Sequence, residues 1–465
     1  MDRGDRLPLD GYRRSKAPEE TMPHEGPMSL DDLPPSRPLL GFSLHADADF
    51  LEIVRPIIDR EAEYYEVAPE ALWRPTGSGL EPNDYFRLFE ELRRRSGRPF
   101  VAHGLAFSLG SDPDDIVEKR RFETWLEGLR FCHRSFQFEW FSDHLGFVYS
   151  GGRNAILPLP LPQTEEAADR VARRLRRISS VVPAVAFENP GGFFRPGPAG
   201  LDAAFWNRII ARSGGHLVLD LHNLHTESVN LDFDPLEVIE GLDLSTAIQI
   251  HLSGGSTTDP SWWKGQRPFR IDSHDGRIPD AVWNLFEEVL PRCPNLRGVL
   301  IERLNGSIEP DDAGDLGDEM QRARHLIESR RLNPRSTPPD RRILPPGGGL
   351  DALQERLVQR LPVPDSHAMR LHPPLPAAAA QALAGIDAEA WHLTGLILRK
   401  LRFEWLQLAA GDAREEFDDD PEAHMELHEA FAAECPLTAH HPIELARDWW
   451  NWKAARTVRQ PKSRG

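Results

Sequence analysis

Cysteine is scarce in this chain. Three residues in 465, Cys132, Cys293 and Cys435, lie far apart and form no CxxC pair. That spacing argues against a disulfide framework and against a thiolate zinc site, and it fits a reducing cytoplasm. Long apolar runs are missing too. No stretch approaches the ~20 residues that a membrane helix needs, and no charged segment leads into an apolar one in the manner of a signal peptide. Basic charge is in deficit: 55 Lys and Arg stand against 73 Asp and Glu, a net charge of −18. Phosphate binding calls for a basic surface, so neither nucleic acid nor a membrane is an expected partner. Solubility is a sufficient reading of the acidity. No Gly-rich phosphate turn follows the first β-like run, which counts against an open dinucleotide-binding sheet. No GxSxG elbow is present, so the adjacent Ser142, Asp143 and His144 lend little support to serine hydrolysis.

What is present falls into four stretches. Residues 1–36, rich in Pro, Arg, Asp and Glu and without periodicity, read as a disordered leader. Between 37 and 331, short β-like runs alternate with helical patterns. The runs are PLLGFSL (38–44), AEYYEV (62–67), RPFVAH (98–103), FQFEWFS (136–142), AVAFEN (184–189), HLVLDLH (216–222), TAIQIHL (246–252) and GVLIER (298–303). Helical spacing fills intervals such as 83–96, 114–131, 164–180, 201–213, 279–290 and 314–330. This alternation is the signature of an α/β fold, a (β/α)₈ TIM-type barrel. A Pro/Gly/Arg linker, LNPRSTPPDRRILPPGGG, spans 332–349. Residues 350–465 read as a mostly helical C-terminal extension, with Leu393, Leu396, Ile397, Leu401, Trp405 and Leu408 on one amphipathic face.

A parallel barrel strand is buried on both faces and should be almost wholly apolar. Here the strand ends break that rule. Glu66 ends the second run and His103 the third, and His144 lies just past the fourth. Glu188 ends the fifth, Asp220 and His222 the sixth, His251 the seventh and Glu302 the eighth. The segment IDSHDG after the seventh adds Asp272, His274 and Asp275. In a barrel of this kind the carboxyl ends of all strands meet at one mouth. Taken singly, each residue has an ordinary explanation: a strand-end cap for His103, a turn cap for Glu188, a helix N-cap for Asp220, a core histidine for His251. His225 and Asp275 read as loop residues or as supports behind the ligands. Taken together, chance and capping do not put a ligand type at most strand ends. Imidazole and carboxylate without thiolate suit Fe, Mn, Zn or Co. A single catalytic zinc takes about three protein ligands, and this rim offers more than two such sets, so two or three metals are expected.

The same residues carry a family resemblance. AHGLAFSLGS (102–111), FSDHLGF (141–147), AFENPGGFF (186–194), LDLHNLHTESVNLDFDP (219–235), IQIHLSGG (248–255), IDSHDGRIPDAVWNLF (271–286) and LIER (300–303) resemble, in order and spacing, the DUF692 proteins, the multinuclear non-heme iron-dependent oxidases. The resemblance covers about 39–330. It implies a barrel holding two or three iron ions, mixed Fe²⁺ and Fe³⁺, with O₂ as co-substrate. It also implies oxidation of a residue, typically cysteine, in a ribosomally made precursor peptide. Carried onto this chain, the ligands it implies are His103, His144, Glu188, Asp220, His251, Asp272, His274 and Glu302. The family's LDxNN motif reads LDLHN here, so His222 stands where an asparagine is usual and becomes a further candidate ligand. Asn223 is retained. His274 is a candidate general base, and Glu66 a candidate support or substrate contact. Members commonly work with a peptide-binding partner protein, a role that residues 350–465 would fill if fused. Two competing readings remain: a divalent-metal isomerase or hydrolase of the xylose-isomerase and endonuclease IV class, and a non-catalytic metal-binding or peptide-escort protein.

Overall fold

The computed structural model describes residues 37–76, 79–263, 265–334, 338–362 and 374–459. The leader expected over 1–36 lies outside them. Eight strands close into a barrel: β1 (Leu39–Leu44), β2 (Tyr64–Val67), β3 (Phe100–Gly104), β4 (Phe141–His144), β5 (Val185–Glu188), β6 (His216–Asp220), β7 (Ala247–Leu252) and β8 (Gly298–Ile301). Neighbours follow chain order, every pairing is parallel, and β1 pairs with β8 to complete the ring. Around it lie α1 (Ala48–Glu61), α2 (Asp84–Ser96), α3 (Ile116–Phe136), α4 (Glu165–Ile178), α5 (Asp202–Ser213), α6 (Leu221–Leu231), α7 (Pro235–Gly241), α8 (Pro260–Trp263), α9 (Asp280–Val289) and α10 (Ala313–Ser329).

Local chemistry explains these elements. Every residue of β3 and β7 is buried, as expected for strands covered on both faces. Helix α4 starts at Thr164, whose side chain accepts from the Ala167 amide, and carries Glu165 and Glu166 in its first turn and Arg176 and Arg177 in its last. Both ends therefore complement the helix dipole. Its buried Ala167, Val171, Leu175 and Ile178 recur at helical spacing and press onto the sheet.

Inside the ring, Leu39, Tyr64, Val101, Trp140, Ala186, Val218, Ile248 and Leu300 form one apolar floor. Gly41 and Gly298 make room for the Tyr64 side chain: a Cβ on Gly41 would come within 2.3 Å of its ring, and one on Gly298 within 2.6 Å of its hydroxyl. Side chains alternate along a strand, so the residue two positions past a floor residue points into the barrel one layer higher. That step leads from Tyr64 to Glu66, Val101 to His103, Ala186 to Glu188, Val218 to Asp220 and Leu300 to Glu302.

Two runs differ from the sequence expectation. Helix α3 continues to Phe136, ends at Gln137 in the left-handed conformation, and leaves β4 to begin only at Phe141. Phe136 and Phe138 stack at 5.5 Å in the core instead of extending. Strand β6 stops at Asp220, so His222 lies in the first turn of α6 and not on the strand. Two antiparallel hairpins were not anticipated: Trp73–Thr76 with Gly79–Pro82 after β2, and Phe147–Ser150 with Arg153–Leu159 after β4.

Beyond the barrel come α11 (Leu350–Arg360), α12 (Ala377–Ala384), α13 (Ala388–Ala409), α14 (Gly411–Asp419), α15 (Pro421–Glu434) and α16 (Pro442–Arg459). Leu350, Leu353, Leu357, Ala390 and Leu393 join the apolar cluster that lies between the barrel strands and helices. Leu406, Ala410, Phe431, Leu445, Trp449 and Trp452 form a separate core. No helix among the described residues is long and apolar enough to cross a membrane.

Candidate metal centre at the barrel mouth

The structure brings the strand-end residues together. His103 Nε2 lies 3.0 Å from Glu188 Oε2, and His144 Nε2 is 3.7 Å from the same oxygen. His251 Nδ1 faces Glu302 Oε2 at 3.4 Å, Glu188 Oε1 at 3.8 Å and Asp220 Oδ2 at 3.9 Å. His274 Nε2 is 2.7 Å from Asp272 Oδ1 and 3.8 Å from Glu302 Oε2. His222 Nδ1 lies 3.2 Å from Asp272 Oδ1. Glu66 Oε2 faces His251 Nε2 at 3.5 Å. Among the described residues, five overlapping groups of three place one ligand atom per residue within 4.8 Å of one another. They are His103, His144 and Glu188; Glu188, Asp220 and His251; Glu66, His251 and Glu302; Asp220, His274 and Glu302; and His222, Asp272 and His274. Glu188, Asp220 and Glu302 each belong to two groups.

Burial makes this gathering costly without cations. Asp220 and His251 are fully buried and Glu188 is 2% exposed. A buried ion without compensation costs several kcal/mol or more. Yet Glu188 Oε2, Asp220 Oδ2, Glu302 Oε2, His274 Nε2, His144 Nδ1 and both ring nitrogens of His251 have no partner in hydrogen-bond geometry. Each instead stands within 4.0 Å of an imidazole or carboxylate atom. Buried polar groups in proteins are otherwise almost always paired, so the donor set fits metal ions.

Proton affinities show the same field. Burial alone would lower the His144 pKa, but Glu188, Asp143 and Asp272 push it up to about 10. Asp272 and Glu302 likewise outweigh burial at His274 and raise it to about 10. At Asp220 burial and the carboxylates of Glu188, Asp272 and Glu302 all act upward, and its pKa lies well above the usual range. Burial works against the charge of Glu188, but His144 and His103 hold its pKa below the usual value. Histidines this basic, around carboxylates this crowded, mark a pocket that gathers positive charge.

Supporting contacts fix the groups in place. Asp220 does two jobs at once: Oδ1 accepts from the Asn223 amide at 2.7 Å and caps α6, while Oδ2 faces the mouth. Asn189 brackets Asp220, its amide bonded to the Asp220 carbonyl and amide at 2.9 and 2.8 Å. Asn223 Nδ2 donates to Glu188 Oε1 at 2.9 Å. A Cβ at Gly191 would come within 2.2 Å of Asn223 Oδ1, so glycine leaves room for that amide. Ser142 Oγ contacts His103 Nδ1 at 2.8 Å, and Asp143 receives the amides of Ser108 and His144 at 3.0 and 2.8 Å. Ser142 and His144 therefore do not form a nucleophile–base pair. His274 sits at φ +50°, a left-handed conformation that is uncommon in residues other than glycine and recurs at functional sites. Asp275 does not join the cluster but accepts from Ser256 and Ser273 at 2.7 and 2.8 Å. His225 stands apart, its pKa lowered to about 4 by burial and by Arg270 and His222.

Sequence reading missed several members. His45 follows β1 directly. Burial lowers its pKa against the pull of Glu302, so it belongs to the same field. Its signal was available, because it breaks the apolar pattern at a strand end like the others. Gln249, Trp140 and Tyr64 form a hydrogen-bonded layer under Glu66. Their only trace in sequence is a glutamine inside an apolar strand.

Comparison with known proteins gives a family match over the barrel. Residues 44–328 match the family model described as RiPP precursor modification enzyme MbnB/TglH/ChrH. A UPF0276 protein of Rhizorhabdus wittichii is 31% identical over 297 residues, 63% of this chain and 96% of that protein. One from Caulobacter vibrioides is 30% identical over 277 residues, 59% of this chain and 88% of that protein. Solved structures overlap more loosely. D-psicose 3-epimerase from Clostridium cellulolyticum has a TM-score of 0.40 at 11% identity, covering 62% of this chain and 99% of that one. Endonuclease IV from Thermus thermophilus has 0.39 at 17%, covering 62% and 100%. The family match covers more than half of the chain, ends before the C-terminal helices, and contains every residue gathered at the mouth: this chain belongs to the MbnB/TglH/ChrH family of RiPP precursor modification enzymes, the DUF692 family.

Proposed function

We propose that this enzyme is a multinuclear non-heme iron-dependent oxidase that uses O₂ to modify a cysteine of a ribosomally synthesised precursor peptide. The observation that carries the reading is the set of buried, unpartnered nitrogen and oxygen atoms at the mouth, arranged in overlapping triads. His103, His144 and Glu188 would hold one ion. Asp220 and His251, with Glu188 and Glu302, would hold a second. Asp272, His274 and His222 would hold a third, next to Asp220 and Glu302. Two or three iron ions, mixed Fe²⁺ and Fe³⁺, fit these donors, which are nitrogen and oxygen without thiolate. When bound, iron supplies open coordination positions and one-electron redox steps with O₂.

The chain's own residues set the stage for that chemistry. Glu188, Asp220 and Glu302 each face more than one candidate position, so they tie the positions into one centre. Asn223 holds Glu188 by its Oε1 atom. The carboxylates around His144 and His274 favour a cation there, and as ligands both would have to give up their protons. His274 is partly open to the mouth and can take up a substrate proton when it is not a ligand. Glu66 is buried beneath His251 and acts from behind the ligands.

The peptide is delivered either by a separate partner protein or by α11–α16. Two contacts put those helices on the mouth side. Helices α11 and α13 pack on the hairpin that follows β4, and Trp263 stacks on His392 at 6.1 Å in the loop that follows β7. Precursor-peptide affinity measured with and without α13–α16 decides between the two, and an unchanged affinity rejects the fused role. The metal assignment is tested with Glu188→Gln and His251→Ala, each purified without oxygen. Iron content and peptide modification fall together, whereas survival of both contradicts the assignment. A divalent-metal isomerase or hydrolase, or an escort protein, would consume no O₂ in the same assay.

A further inference from the structure

Below the mouth runs a chain of buried polar groups that leads up to Glu66, which shares a candidate group with His251 and Glu302. The indole N–H of Trp140 donates to Gln249 Oε1 at 2.9 Å. Gln249 Nε2 donates to Glu66 Oε2 at 2.8 Å and to the Tyr64 hydroxyl at 3.1 Å. Trp140, Gln249, Tyr64 and Glu66 are all 2% exposed or less. An indole nitrogen can only donate, so the amide atom facing it is oxygen and the nitrogen faces Glu66. The amide orientation is set by chemistry and not by choice of fit. Glu66 Oε2 in turn faces His251 Nε2 at 3.5 Å, and the opposite ring nitrogen, Nδ1, faces Glu302, Glu188 and Asp220.

We propose that Trp140, Gln249 and Glu66 are positioning residues that fix His251 as an Nδ1 ligand, its Nε2–H kept toward Glu66. A neutral imidazole offers a lone pair on one nitrogen only when the other carries the proton, and the partner of the protonated nitrogen decides which. Glu66 is that partner. Its Oε2 already accepts from Gln249 and faces Nε2, whereas Glu188, Asp220 and Glu302 face Nδ1; of the roles open to it in the group with His251 and Glu302, it takes that of orienting His251. The two glycines that clear the Tyr64 ring also serve this layer, because the Tyr64 hydroxyl takes the second amide proton of Gln249. The inference rests on the reading of the mouth as a metal centre.

The test uses full-length Trp140→Phe, which removes the N–H together with part of the buried ring, Gln249→Met, which removes the amide at nearly the same length, and Glu66→Gln. Each is stripped of metal, melted, and then titrated with ferrous iron under anaerobic conditions, with Mössbauer spectra at each ratio. The expected result is cooperative metal-free melting in each folded variant, with affinity for one iron lowered about 10- to 100-fold and the matching spectral component lost at low iron. Glu66→Asp restores part of it. Should Trp140→Phe fail to fold, the near-isosteric Gln249→Met carries the test alone. Wild-type iron affinity and spectrum in every folded variant would overturn the proposal. A wild-type protein that binds iron yet takes up no O₂ with peptide rejects the oxidase reading and leaves this relay standing.

Discussion

Asp220 shows how little separates a structural side chain from a functional one. One of its oxygens caps α6 and the other faces His251. Capping and metal binding look like rival explanations in sequence, and at this residue they use different atoms. Asp220→Asn keeps an oxygen for the cap and removes the charge. Burial and three neighbouring carboxylates disfavour that charge, so the metal-free variant is expected to be at least as stable as wild type, while its iron content falls. Denaturant melts with and without chelator check both parts, and a variant destabilised in the absence of metal contradicts the account. At this scale much was legible. Residues such as His103, Glu188 and His251 stood out because buried strands tolerate few polar side chains. His45 escaped because it lies one residue past the first strand, which ends at Leu44 as the run did, and the Trp140–Gln249–Glu66 layer escaped because residue types do not reveal which atom faces which.

At the scale of elements, the alternation of apolar runs and helical patterns carried the barrel, since each run must be covered by a helix. The places where it failed have local causes. Helix α3 and strand β4 share an aromatic stretch whose hydrophobicity suits either, and the left-handed Gln137 divides them. The hairpins are short and lie outside the barrel. Contacts made by the Pro/Gly-rich stretch 332–349 were also hidden. Its composition marks a connection, but the Glu165 amide donates to the Pro345 carbonyl at 2.9 Å, the Asp340 amide to Gly241 at 2.8 Å, and Leu344 is buried. Helix α11, which follows, belongs to the barrel's apolar cluster, and Gln354 donates to the Gly110 carbonyl at 2.8 Å. Leu357→Ala is therefore expected to destabilise the barrel itself by about 2–5 kcal/mol, although it lies beyond the family match. Urea unfolding followed by far-ultraviolet dichroism measures this. An unchanged barrel transition would show that α11 is an accessory.

For the whole molecule, two apolar cores imply two responses to stress. In the C-terminal core, burial together with Arg402 and His424 pushes the His428 pKa down to about 3. The folded state then holds His428 neutral, while the unfolded chain binds a proton below about 6.5. Stability is unaffected above that pH, falls as pH drops from about 6.5 toward 3, and has lost about 2 kcal/mol from this group by pH 5. Fluorescence of Trp449 and Trp452, which stack at 5.6 Å beside Phe431, should report loosening of this core on acidification before the barrel unfolds. His428→Phe should remove most of the dependence, and an equally steep pH profile in that variant would contradict the assignment. The barrel's behaviour is tied instead to the ions at its mouth. The measurement that tests the central claim most directly is metal analysis with Mössbauer spectroscopy on full-length protein purified without oxygen. The account predicts two or three irons per chain, ferrous and ferric together, lost in Glu188→Gln. A chain that carries only zinc or manganese, or no metal at the strand ends, would contradict it.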